Sequence, residues 1–142
     1  MEYQNAFRVF FAAKSQNEGL ARIMTAAFLS QYDPTLSEIT DVKTAVSEAV
    51  TNAIIHGYED KTGEVELFCG YHEGKIYIEV ADRGMGIDDI DQAREPLFTS
   101  KPELERSGMG FTIMETFMEG VRIESKKGEG TRIFMEKTLT TE

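Results

Sequence analysis

With Cys69 as its only cysteine, the chain cannot close a disulfide on itself, and the expectation is a reducing, cytoplasmic setting. Within a strand pattern, Cys69 reads as filler rather than nucleophile. Two histidines, His56 and His72, cannot build a Cys/His metal cluster. No apolar run approaches the roughly 20 residues of a membrane span. Met1-Glu2-Tyr3-Gln4-Asn5 also lacks the basic start and apolar core of a signal peptide. Basic residues are scarce, 15 Lys and Arg against 25 Asp and Glu, for a net charge of −10. That balance opposes nucleic-acid binding, which gains affinity by neutralising phosphates. It serves solubility, or a basic protein partner.

What is present fits one domain spanning 1–142, long enough for its own core. Phe7, Val9 and Phe11 alternate over 6–12 as an opening strand. Ser15 and Glu18 have the spacing of a capping box, and Leu20, Ile23, Met24, Ala27 and Phe28 then recur at helical spacing. Asp33-Pro34 breaks the chain before a second helix. Its apolar stripe is Leu36, Ile39, Val42, Val46, Ala49, Val50 and Ala53, with Gly57 as terminator. Strands are expected over 64–69 and 75–81, joined at Glu73-Gly74. An irregular, Pro-broken stretch follows over 87–107. Next come a helix with Phe111, Met114, Phe117 and Met118 inward, strands over 121–125 and 131–136, and a short frayed tail. The order implies a two-layer α/β (α+β) sandwich, with helices on one face of a mostly antiparallel sheet.

Three motifs carry chemistry. Glu48 and Asn52 lie four apart on the second helix, one above the other. By themselves they could be a surface hydrogen-bonded pair. They also suit a carboxylate that takes a hydroxyl proton beside an amide oxygen that ligates Mg²⁺. Asp82 ends a strand and enters Gly84-Met85-Gly86. Asp and Gly favour tight turns, and a carboxylate there could equally accept from adenine's exocyclic amine. Gly108-Met109-Gly110 opens a helix whose free N–H groups could meet phosphate. Between the glycine motifs, Thr99, Lys101, Arg106 and Ser107 are either a solvated face or a lid over phosphates. His56, at a helix end, caps it or lines a pocket rim.

Other nucleotide signatures fail. Gly70-Tyr71-His72-Glu73-Gly74-Lys75-Ile76 is one spacer short of a P-loop and ends in Ile where Ser or Thr must hold magnesium. Asp89 and Ile113 stand where a third loop glycine belongs, and no H-R-D or D-F-G set exists.

The ordered motifs resemble the N-box, G1 and G2 of the GHKL superfamily with its Bergerat ATP-binding fold. The run from Pro96 to Glu115 is similar to the bacterial anti-sigma serine/threonine kinases of the sporulation branch. The resemblance covers about residues 6 to 138. It implies a homodimer that holds a sporulation sigma factor and uses Mg-ATP, leaving ADP, to phosphorylate a serine of a STAS-type anti-anti-sigma protein. It makes Glu48 the general base, Asn52 the magnesium ligand and Asp82 the adenine reader. Gly84, Gly86, Thr99, Lys101, Arg106, Ser107, Gly108, Met109, Gly110 and Thr131 would complete the nucleotide site, and Arg22 would mark a partner-docking surface. His72-Glu73 falls in a turn, so an internal phospho-accepting histidine is not expected. A nucleotide-gated binder without transfer, or the general-stress branch of the same kinases, are the competing readings.

Overall fold

The computed structural model describes residues 2–57, 63–84 and 110–140. Its elements are β1 (Asn5–Ala12), α1 (Gln16–Leu29), a 3₁₀ turn (Ser30–Tyr32), α2 (Leu36–Asn52) running into a π-turn (Ala53–Gly57), β2 (Glu64–His72), β3 (Lys75–Asp82), α3 (Gly110–Phe117), β4 (Gly120–Lys126) and β5 (Gly130–Thr138). The five strands form one sheet in the order β1-β2-β3-β5-β4, every neighbouring pair antiparallel. Register aligns Val9, Leu67, Val80, Ile133 and Ile123 across the sheet, and Phe7, Cys69, Ile78, Met135 and Val121 beside them. Side chains alternate along a strand, so these rows share one face, and they join one core with residues of the helices. The expected two-layer arrangement is the one observed.

α2 is the central helix of that layer, packed against α1 on one side and α3 on the other. Val42, Ala45, Val46, Ala49 and Val50 are fully buried. Leu36, expected on that stripe, is 83% exposed at the helix start. α1 keeps Phe28, and partly Met24, of its expected stripe toward the core but is rotated: Ala21, Thr25 and Leu29 are buried with them, while Ile23 is 67% and Leu20 45% exposed. Small Ala21 and Thr25 let the helix sit close, and Thr25 satisfies its hydroxyl on the Ala21 carbonyl at 2.9 Å.

The capping box is also elsewhere. Ser15 has helical dihedrals and makes no side-chain cap, and Glu18 pairs instead with Arg22 one turn on. Thr35 and Glu38 form the box, with Glu38 N–H donating to Thr35 Oγ1 at 3.1 Å and Thr35 N–H to Glu38 Oε1 at 2.8 Å. Glu38 Oε2 accepts from both the N–H and the hydroxyl of Thr140, each at 2.7 Å. The expected frayed tail is therefore docked through residue 140. β5 runs to Thr138, and Leu139 is buried in the core. Cys69 is fully buried near Thr25, and burial pushes its thiol up to about 12, which agrees with strand filler.

Candidate functional site

β3 delivers Asp82 to the end of the sheet on the helix-covered face, opposite Thr131 of β5. Asp82 is only 6% exposed, and so is Thr131. The Gly84 N–H donates to Asp82 Oδ1 at 2.9 Å, closing the turn that leaves the strand. Burial pushes the carboxyl up to about 6, held from rising further by the backbone N–H groups of Gly84 and Thr131. Among the described residues no cation pairs with Asp82. A carboxylate so placed retains capacity to accept a hydrogen bond from the amine of a flat base.

Two residues that sequence reasoning did not assign to the site support this end. Gly130 has φ +101, and a Cβ there would come within 2.2 Å of the Asp82 carbonyl oxygen. Only glycine lets β5 start this close to the end of β3. Ser125 of β4 stands 2.8 Å from the Thr131 hydroxyl, and its own hydroxyl donates to the Gly130 carbonyl at 3.1 Å. The signal for Gly130 was the Gly128-Glu129-Gly130 turn. Ser125 had none, because its role depends on strand register. A hollow of about 700 Å³ opens at this sheet end, largely on the side away from the helices, where Phe10, Glu66, Ala81, Glu124 and Arg132 line it together with Asp82 and Thr131.

Glu48 and Asn52 sit one turn apart near the end of α2, both half-buried. After Asn52 the helix widens into the π-turn, whose residues contact β3 and β5, the strands that carry Asp82 and Thr131. π-turns of this kind are frequent at functional places. Glu48 also borders a second, smaller hollow of about 260 Å³ between α1 and α2, which Arg22 lines from α1. Arg22 is half-exposed, but it leans toward α2 rather than marking the outermost surface of α1. Gly110 lies in α3, the helix that the Gly108-Met109-Gly110 motif was expected to open. Gly86, Thr99, Lys101, Arg106, Ser107, Gly108 and Met109 lie outside the described residues, and so does the side chain of His56.

A family model described as "Histidine kinase-like ATPase domain" matches residues 11–137. Curated relatives named "Anti-sigma F factor" include one from Clostridium kluyveri, 57% identical over 98% of both chains. Another, from Clostridium perfringens, is 57% identical over 96% of this chain and 99% of the relative. Among solved structures, the RsbU and RsbW domains of a Mycobacterium tuberculosis protein superpose with a TM-score of 0.69 at 20% identity, over 96% of this chain and 32% of that one. The catalytic domain of the histidine kinase ThkA superposes with a TM-score of 0.59 at 15% identity, over 98% of this chain and 97% of that one. The two structures speak for the fold, and the sequence relatives place the chain more finely. A sheet with helices on one face, a buried strand-end aspartate and a glutamate–asparagine pair on the central helix are thus set in a known frame: the chain belongs to the histidine kinase-like ATPase family, among its anti-sigma F factors.

Proposed function

We propose that this chain is an ATP-dependent anti-sigma factor and protein serine/threonine kinase. It would hold a sporulation sigma factor away from RNA polymerase and transfer the γ-phosphoryl group of ATP to a serine of a STAS-type anti-anti-sigma protein. The observation that carries the reading is the half-buried Glu48–Asn52 pair on the helix whose π-turn contacts the strands bearing Asp82 and Thr131. A nucleotide-gated binder has no use for the base, and the names of the relatives favour the sporulation branch over the general-stress one.

Asp82 would accept a hydrogen bond from the adenine amine, with Gly84, Gly86 and Thr131 shaping the base end. Thr99, Lys101, Arg106, Ser107, Gly108, Met109 and Gly110 would hold the phosphates. The Asn52 amide oxygen suits magnesium, a hard ion that takes few protein ligands and fills its shell with water and phosphate oxygens. When bound, that ion would neutralise phosphate charge. Glu48 would accept the proton of the serine hydroxyl as its oxygen forms a bond to the γ-phosphorus and ADP leaves. No described helix is long and apolar enough to cross a membrane. A cytoplasmic homodimer of one-domain chains, each 1–142, is the assembly we expect.

The test is incubation with Mg-ATP and the STAS-domain protein, followed by mass analysis of that protein. A phosphate increment on one serine supports the reading. ATP binding with capture of the sigma factor, but no increment, would instead favour the nucleotide-gated binder.

A further inference from the structure

α2 carries an uninterrupted polar stripe. Thr40, Lys43, Thr44, Ser47 and Glu48 recur at i, i+3, i+4, i+7 and i+8, so they form one helix face, and all five line the hollow of about 260 Å³ that Arg22 closes from α1. The opposite face of the same helix is packed with Val42, Ala45, Val46, Ala49 and Val50. The groove therefore offers hydroxyls and two cations, and its inner end is the carboxylate assigned to proton abstraction. Arg22 is engaged by Glu18, while Lys43 has no ion-pair partner among the described residues. On a chain of net charge −10, a lysine left in a groove leading to the base invites a negative charge from outside.

Helix geometry fixes where that charge would lie. Lys43 precedes Glu48 by five residues, about 7.5 Å along the helix axis. The two residues also lie about 140° apart around the helix, at opposite edges of the stripe, so an extended segment running from one to the other spans about three residues. Building on the kinase reading above, we infer that the α1–α2 groove receives the acceptor segment of the protein substrate, and that Lys43 positions it by pairing with an acidic side chain about three residues from the acceptor serine. Thr40 and Ser47 supply hydroxyls for the segment's backbone. The Thr44 hydroxyl already donates to the Thr40 carbonyl at 2.8 Å, so it offers its lone pairs as an acceptor. Lys43 is a positioning residue and touches no reacting atom.

The experiment is steady-state phosphorylation of the folded STAS-domain protein by the full chain at saturating ATP, comparing the parent with Lys43→Glu and Lys43→Arg. Reversing the charge should raise KM for the acceptor by about tenfold or more, the scale of one charge-assisted contact, with kcat within about twofold. ATP affinity by calorimetry should be unchanged, which also controls for folding, and Lys43→Arg should keep the parent KM. Replacing the acidic residues within about three positions of the acceptor serine by lysine should raise KM for the parent and lower it for Lys43→Glu. An unchanged KM in Lys43→Glu overturns the inference. So does an equal loss in Lys43→Arg, or a loss confined to kcat. Absence of transfer by the parent itself would overturn the kinase reading, and this inference with it.

Discussion

The two ends of the site are built by different physics. At the sheet end, Asp82 is held by main-chain pairing: Thr131 opposite, Gly84 bonding back, Gly130 pressed against the Asp82 carbonyl, and Ser125 fixing Thr131. At the helix end, Glu48 and Asn52 are brought together by the 3.6-residue repeat of α2, both half-buried, with side chains of α1 and α2 bordering Glu48. A rigid sheet end suits recognition of a flat base of fixed shape. A helix face open to a groove suits a group that must meet a second protein. The costs differ too, since a buried carboxylate opposes folding whereas a half-exposed one does not.

The comparison predicts separable losses. Glu48→Gln should be the most severe for transfer, on the order of 10²–10⁴-fold, with ATP still bound. Single-turnover phosphorylation beside nucleotide calorimetry checks this, and near-parental transfer would remove Glu48 as the base. Arg22→Glu, and Arg22→Ala less severely, should weaken sigma-factor binding, where loss of an interface arginine can cost about 2 kcal/mol or more. ATP affinity should hold. Titration against the sigma factor decides, and unchanged affinity in both variants removes Arg22 from the docking surface.

Asp82→Ala should weaken ATP and ADP equally, by about 1.5–3 kcal/mol, because it acts on the shared base. GTP should bind the parent poorly, and equal ATP and GTP affinities would refute Asp82 as the adenine reader. The smallest effect is on pH. The Asp82 carboxyl is raised from 3.8 to about 6 by burial, so the folded chain binds more protons than the unfolded one between those values. Asp82 therefore contributes a stability penalty that is full above about 6 and vanishes below 3.8. ATP affinity should run the other way, falling as pH drops through 6 and the acceptor is protonated. Asp82→Asn should flatten both dependences, measured by thermal unfolding and nucleotide titration from pH 5 to pH 8. A parent whose ATP affinity does not change across that range would contradict the assignment.

Much of this architecture is readable in residues. Alternation located the strands, with β2 and β5 running slightly further than expected, and the i, i+4 spacing of Glu48 and Asn52 put both on one side of α2. Local pattern failed where two solutions were chemically equal. Ser15-Gln16-Asn17-Glu18 and Thr35-Leu36-Ser37-Glu38 both spell a capping box, and only the second forms, because Glu18 is drawn to Arg22. On α1, hydrophobicity favoured Leu20 and Ile23, while close packing favoured Ala21 and Thr25. The support of Asp82 by Ser125 and Gly130 depends on which strands become neighbours, and β3 pairs directly with β5 although β4 comes between them in the chain. No local window contains that information.

Glu38 divides its two oxygens between the start of its own helix and a residue 102 positions later. Burial works against its ionisation, yet the Thr140 and Thr35 donors bring its pKa below the ordinary 4.5. During synthesis the local half of this arrangement can form as soon as α2 leaves the ribosome, whereas the distant half must wait for β5. The helix bearing Glu48 and Asn52 is thus helical early and anchored late. A newly made chain would gain a fully seated α2 only after its final strand has entered the sheet.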